Sequence, residues 1–301
     1  MKTIFLIPSS ELKNYIPVNF RMVKAFCMFT FFLLGPSFLF SQELDQVIVK
    51  QNLLFGNPLT TKDYGLHGNV KKLEKRTSFA DPKISTVYET LFFSGTGLLT
   101  KKAYYSEGEK EPNLIYYYHY NNNRLDSITN THHIEKEVFN YDDRNRLIKK
   151  ITYGKYDETK DEIDEAESFH YNSENYIIKS VKDSANLVME SKYNKKKQII
   201  QIKSYYTNNP ENMAVTEYQF QTLYDKPDVV ITKRNEKTQN TTIYKCDIKG
   251  NHIETITISQ NKTANKIQNS MIYDQHSNIT SNIISDKGNK ISETVQKIEY
   301  Y

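Results

Sequence analysis

Downstream of residue 65 the chain is written in short runs in which apolar or aromatic positions alternate with polar ones. Glu254–Ser259 alternates strictly, and Ile199–Tyr206 and Asn113–Tyr120 are rich in aromatic and β-branched residues, the types that fit a pleated, half-buried surface. No long stretch carries apolar residues at the 3.6-residue helical period. Proline is nearly absent from the runs. The pattern predicts strands throughout, with helix almost absent after residue 66.

The runs are punctuated by one recurring motif. An aromatic is followed by a polar turn, by Gly or Asn at the fourth position after it, and by an aliphatic at the sixth. Phe93 with Gly97 and Leu99 fits, as do Tyr141 with Asn145 and Leu147, and Tyr171 with Asn175 and Ile177. Tyr193 and Ile199 keep the frame around a lysine turn, Tyr273 and Ile279 shift the Asn by one place, and Tyr120 and Leu125 lie one residue closer. Cys246 replaces the aromatic in one copy, and Tyr224 opens the most degraded one. The anchors are therefore Phe93, Tyr120, Tyr141, Tyr171, Tyr193, Tyr224, Cys246 and Tyr273. Their mean step is about 26 residues, short of the roughly 30 that a strand–helix–strand unit needs. Two strands and two turns fit. A tight turn needs a residue at positive φ, which Gly adopts freely and Asn tolerates, and Asp or Asn after the aromatic bonds the turn backbone. The aromatic and the aliphatic then face each other across the hairpin and fix its register.

The expected fold is all-β: an extended antiparallel β-meander of about eight two-stranded repeats, roughly sixteen strands, in a single-layer or solenoid-like sheet. In such an array each unit contacts only its neighbours, so truncating Tyr171, in the middle, should cost more than truncating Tyr273, near the end.

These residues resemble the YD (Rhs-type) repeats, whose units read roughly Tyr-x-Tyr-Asp-x-x-Gly-x-Leu. Phe139 to Asp142, Tyr118 to Asn121, Phe169 to Asn172, and Tyr244 to Asp247 with Gly250 carry the likeness, and the opening Tyr64–Lys72 looks like the lead-in of small exported proteins with such repeats. The resemblance covers about residues 65–301. It implies a long antiparallel β-structure at the cell surface or in secreted material. Large members wrap a toxin domain; eight units with no further domain imply neither shell nor toxin here.

The N-terminus changes the picture of charge and compartment. From Met22, Lys24 precedes an apolar stretch over Ala25–Phe40 that ends at Ser41. That is the order of an export signal, and it is shorter than the roughly 20 residues of a spanning helix. Residues 1–41 read as extension and signal peptide, with Met22 an alternative start, 42–64 as lead-in and 65–301 as the repeat domain. The whole chain carries 40 basic against 36 acidic residues. Removing residues 1–41 takes away Lys2, Lys13, Arg21, Lys24 and Glu11, leaving a charge of +1. No nucleic-acid partner is implied, and the mature chain shows no stable membrane span. A single cysteine, Cys246, remains, so no internal disulfide is expected. Counting Gly and leaving out Tyr, about a third of the chain is apolar, below the 45–50% of an average domain, so the protein should be thin and built around its 23 tyrosines.

None of the seven His falls in a zinc spacing. His132 and His133 are adjacent and would point to opposite faces of a strand. The acidic run Asp157–Glu167 lacks the sixth-position Gly of a calcium loop. No catalytic residue, metal or cofactor is assigned. Tyr116, Tyr118 and Tyr120 share one strand face and form a candidate aromatic binding face. The functional expectation is an exported, non-enzymatic β-repeat protein, periplasmic, at the cell surface or secreted, presenting a binding or structural surface to an envelope protein or glycan. The alternatives are an outer-membrane β-barrel, for which the C-terminal Tyr301 also speaks, and a polysaccharide-acting enzyme.

Overall fold

A computed structural model describes residues 58–301 apart from 132–134, 158–159, 184–185, 221–226, 248–250 and 261–263. The export segment, His132, His133, Tyr224 and Gly250 lie outside the described residues.

Eighteen strands follow one another in chain order. They are β1 (Val70–Phe79), β2 (Val87–Phe93), β3 (Leu99–Tyr105), β4 (Leu114–Asn121), β5 (Arg124–Asn130) and β6 (Glu135–Tyr141). Next come β7 (Leu147–Asp157), β8 (Lys160–Tyr171), β9 (Ile177–Lys182), β10 (Leu187–Tyr193), β11 (Ile199–Tyr206) and β12 (Asn209–Gln219). The last six are β13 (Val229–Arg234), β14 (Lys237–Cys246), β15 (His252–Ser259), β16 (Ala264–Tyr273), β17 (Ile279–Asp286) and β18 (Asn289–Tyr300). Each pairs antiparallel with its chain neighbours. Among the described residues the one helical element is a 3-10 turn, Thr61–Tyr64, ended by Gly65 at φ 65°.

The meander is closed. β18 pairs with β1 along its length, Tyr300 facing Val70 and Ser292 facing Phe79, and β1 pairs in turn with β2. The extended sheet expected from the sequence is therefore a ring: among the described residues, an eighteen-stranded antiparallel barrel with no edge strand. The count exceeds the expected sixteen because there are nine units, not eight. Eight are hairpins. The ninth is split: β18 supplies its aromatic, Tyr300, and β1 its aliphatic, Val70.

The register shows the equivalence residue by residue. In six hairpins the aromatic faces the aliphatic, and one residue after the aliphatic is passed over as a β-bulge: Tyr141 faces Leu147, then Asn140 faces Lys149, skipping Ile148. The same skip follows Leu99, Leu125, Ile177, Ile199, His252 and Ile279. Across the split unit Tyr300 faces Val70 and Glu299 faces Lys72, skipping Lys71. Gly68, at φ 82°, stands two residues before Val70, as Gly97 stands before Leu99.

One face of this wall is inner. Alternation puts all described anchors on the same face as Ser180, Thr255 and Ser292, which are 2–5% exposed. Although Thr90, Ala103, Val188 and Val215 are buried on the other face, most of the buried apolar side chains lie on this one, the concave side of the ring. The apolar clusters lie there too. Leu73, Leu91, Phe93 and Leu99 pack with Leu59 and Leu66 of the lead-in, and Leu125, Phe139, Leu147, Phe169 and Ile177 pack further along the wall.

Candidate functional site

The turns at one end of the barrel share a common chemistry. After Phe93, Tyr141, Tyr171, Tyr193, Cys246 and Tyr273 the next residue folds its side chain into the turn. Asp142 Oδ1 accepts from the amides of Arg144 and Arg146, Asn172 from Glu174 and Tyr176, Asn194 from Lys196 and Gln198, and Asp274 from His276 and Asn278. The positive-φ position is held by Gly97, Asn145, Asn175, Lys197 or Ser277, at φ 63° to 81°. Asn is the residue other than Gly that tolerates this region best; Lys197 and Ser277 occupy it under strain.

The anchor tyrosines tie each unit to the one before it. The Tyr120 hydroxyl donates to the Leu99 carbonyl at 2.8 Å, Tyr141 to Leu125 at 2.7 Å, Tyr171 to Leu147 at 2.7 Å and Tyr193 to Ile177 at 2.9 Å. Further round, the acceptor changes: Tyr273 donates to Asp247 Oδ2 at 2.7 Å and Tyr300 to Asp274 Oδ2 at 2.6 Å. Burial disfavours the phenolate and pushes Tyr141, Tyr171, Tyr193 and Tyr273 up to about 12. Guanidinium groups cover two of the rings, Arg124 over Tyr141 at 4.7 Å and Arg146 over Tyr171 at 4.9 Å.

Phe93 is buried against Tyr64 of the lead-in, ring centroids 5.8 Å apart. Cys246 faces His252, and the Tyr244 ring stacks on His252 at 4.6 Å, so an imidazole–phenol pair replaces the usual aromatic–aliphatic contact. Tyr116, Tyr118 and Tyr120 do share one face, and that face is inner. They pack against the apolar clusters, while Tyr117 points outward and is exposed.

The inner wall also carries charge, which the sequence reading missed. Glu89 lies 2.6 Å from Lys102 and 3.8 Å from Lys75. Burial opposes ionisation of Glu89, but the two ammonium groups outweigh it and hold its carboxyl below the usual range. Glu137 pairs with Lys150 and Glu165 with Lys182. The fully buried Glu167 faces Lys150 on one side and Lys182 on the other. Register is the signal that finds this belt: once the hairpins are aligned, Glu and Lys fall opposite or diagonal to one another. Among the described residues no three His, Cys, Asp or Glu side chains gather as a metal-ligand set.

The outer face is a mosaic. Val229, Ile243 and Ile256 form a cross-strand apolar row. The same face holds ion pairs: Glu217 with Lys233 and Glu254 with Lys245 and Lys266 near that row, and Glu299 with Lys71 at the seam.

No family model matches the chain, and no curated protein does. Among solved structures, a porin-like protein from Bacteroides uniformis is similar at 10% identity and a TM-score of 0.43, over 78% of this chain and 99% of that one. The crystal structure of TcdB2-TccC3-Cdc42 is similar at 11% identity and a TM-score of 0.27, over 74% of this chain and 16% of that one. No helix among the described residues is long and apolar enough to cross a membrane, which says nothing of strands.

Proposed function

We propose that the chain is an exported β-barrel of the cell envelope that acts by binding or by forming structure rather than by catalysis. The observation that carries this reading is the closed ring of antiparallel strands. Of the classes weighed from the sequence, a barrel gains most from closure and from the even strand number, whereas an open repeat sheet would leave two edges. The turn chemistry, with Asp or Asn folded into most of the described turns and Gly or Asn at positive φ in several, supports kinship with YD-type repeats.

The outer face bears on where such a barrel sits. A lipid-spanning wall needs an apolar outward band about 25 Å tall, and a charged residue at mid-membrane costs roughly 2–4 kcal/mol. Glu74, Glu190, Lys203, Glu217 and Lys297 occupy the same outward level as Ile231, Ile243 and Ile256. We therefore read the wall as facing water on its outside. A barrel inserted in the outer membrane is the second reading, favoured by closure itself and by the Val229–Ile243–Ile256 row.

Cell fractionation of the chain produced in a Gram-negative host decides between them. The first reading expects release into the soluble periplasmic or secreted fraction with an N-terminus near Gln42. Extraction by detergent alone, with heat-modifiable mobility on gels, would establish the second. Recovery of unprocessed protein in the cytosol would overturn both.

A further inference from the structure

The bulges do more than set register. Each pushes its skipped residue outward beside the turn end of the barrel; at β7, β9, β11 and β15 that residue is an isoleucine, and Ile253 on β15 stands next to the ion-paired Glu254, unlike those on β7 and β9. Ile148 and Ile178 are 41% and 40% exposed. The next outward residues are Lys149 and Lys179, and the neighbouring strand and turn add Lys192, Lys195 and Lys196. Arg144 projects from the turn between β6 and β7. None of these six cations has a carboxylate within ion-pair distance among the described residues, whereas the outer lysines on β13, β14 and β16 do. The nearby acids are few. Asp142 is engaged by Arg146 at 2.6 Å, Glu190 stands across from Lys179 but accepts from the Tyr205 hydroxyl, and Asp126, Asp143 and Glu174 stand at or next to the turns. Elsewhere on the same rim the turns carry Asp63, Asp247 and Asp274, and the outward Lys71 and Lys245 are ion-paired.

Protruding isoleucines set among unpaired lysines have two costs in free solution: exposed apolar area and like-charge repulsion. Both are relieved by one kind of surface, an anionic lipid leaflet, where apolar side chains enter the headgroup–acyl boundary and lysines meet phosphates. We infer that the turn end of the β6–β11 arc is a peripheral docking surface for anionic phospholipid. The inference rests on the water-facing reading of the barrel: the rim rests on a membrane that the wall does not cross.

The test is flotation of the chain from Gln42 onward with vesicles of phosphatidylglycerol and phosphatidylcholine, against vesicles of phosphatidylcholine alone. Binding should require the anionic lipid and be lost in 0.5 M NaCl, where the Debye length falls to a few ångströms. Each lysine at an anionic leaflet contributes on the order of fivefold in partition. The Lys149→Glu, Lys192→Glu, Lys195→Glu, Lys196→Glu variant should then bind at least about a hundredfold more weakly. Ile148→Ser with Ile178→Ser should weaken vesicle binding while leaving binding to soluble dextran sulfate unchanged. Circular dichroism confirms that each variant keeps its strands. Equal binding to both vesicle types, or full retention by the lysine variant, overturns the proposal. Loss of dextran sulfate and vesicle binding together, with no effect of the isoleucines, replaces the leaflet by a soluble polyanion. Association that survives salt and yields only to detergent overturns the water-facing reading itself.

Discussion

Two arcs of the barrel solve one problem differently. From β4 to β11 each anchor tyrosine donates to a main-chain carbonyl of the preceding unit; from β16 to β18 it donates to a carboxylate. The turns before Tyr120, Tyr141 and Tyr193 carry Ser94, Asn121 and Asn172 and offer no carboxylate; where the preceding turn has an Asp, the residue four places after it makes the difference. Arg146 takes Asp142 Oδ2 for itself, at 2.7 Å from Nε, so Tyr171 is left with the Leu147 carbonyl. At the corresponding positions Asn251 and Asn278 donate to the tyrosine hydroxyl through Nδ2 and leave Oδ2 of Asp247 and Asp274 to accept from it. One side chain thus selects between a neutral hydrogen bond and a charge-assisted one, the stronger class.

The largest effect should come where the second arc meets the seam. Asn278 is fully buried, accepts from the His67 amide at 2.6 Å, and donates to the His67 carbonyl and the Tyr300 hydroxyl. Asn278→Ala strands these groups and should cost about 3 kcal/mol, read as a drop in the urea midpoint with an unchanged m-value. Next are the anchors. An open array makes Tyr171 costlier to truncate than Tyr273, but a ring has no end, and both have two neighbours. Tyr171→Ala and Tyr273→Ala should each cost about 2–3 kcal/mol, below the fully buried range because burial is partial. A midpoint shift for Tyr273→Ala of less than half that for Tyr171→Ala would show that the ring reasoning fails.

pH separates the arcs further. The Tyr300 hydroxyl and the turn amides hold the Asp274 carboxyl below its ordinary value against the opposing effect of burial. A carboxyl depressed in the fold contributes stability above its unfolded pKa and loses it as pH falls through the folded one. The seam should weaken in acid below about pH 4, and Asp274→Asn should flatten that limb of the melting profile. Tyr141, Tyr171, Tyr193 and Tyr273, pushed up to about 12, behave in the opposite sense. Their contribution is complete below about pH 10, the unfolded tyrosine value, and is lost as pH rises through about 12. Tyrosinate absorbance should show these four ionising late, close to the alkaline transition. The smallest effect is at Lys197, held at φ 69°. Lys197→Gly should stabilise by about 0.5–1 kcal/mol, measurable as a raised melting temperature.

The sequence made the hairpins legible because every element of the motif is local: the aromatic, the turn Asp or Asn, the positive-φ residue and the aliphatic all lie within seven residues. Closure was not legible. Tyr300 and Val70 belong to one unit but stand at opposite ends of the repeat domain, so a scan for aromatic and aliphatic six apart passes over them. The side of the sheet was likewise hidden. Alternation grouped Tyr116, Tyr118 and Tyr120 on one face, but only curvature makes that face inner. The Glu167 belt needed register between strands, which the bulge after each aliphatic shifts by one residue.

The central claim is that β1 and β18 complete one repeat and close the barrel. Thr77 and Thr294 face each other across that seam with hydroxyls 3.0 Å apart. In a Cys246→Ser background starting at Gln42, Thr77→Cys with Thr294→Cys should oxidise to a single intramolecular disulfide, giving a faster-migrating monomer on non-reducing gels and a higher melting temperature. In an open meander of eighteen strands spaced about 4.8 Å apart, the two thiols would lie roughly 80 Å from each other. Oxidation that yields only intermolecular dimers, or none, would contradict the ring.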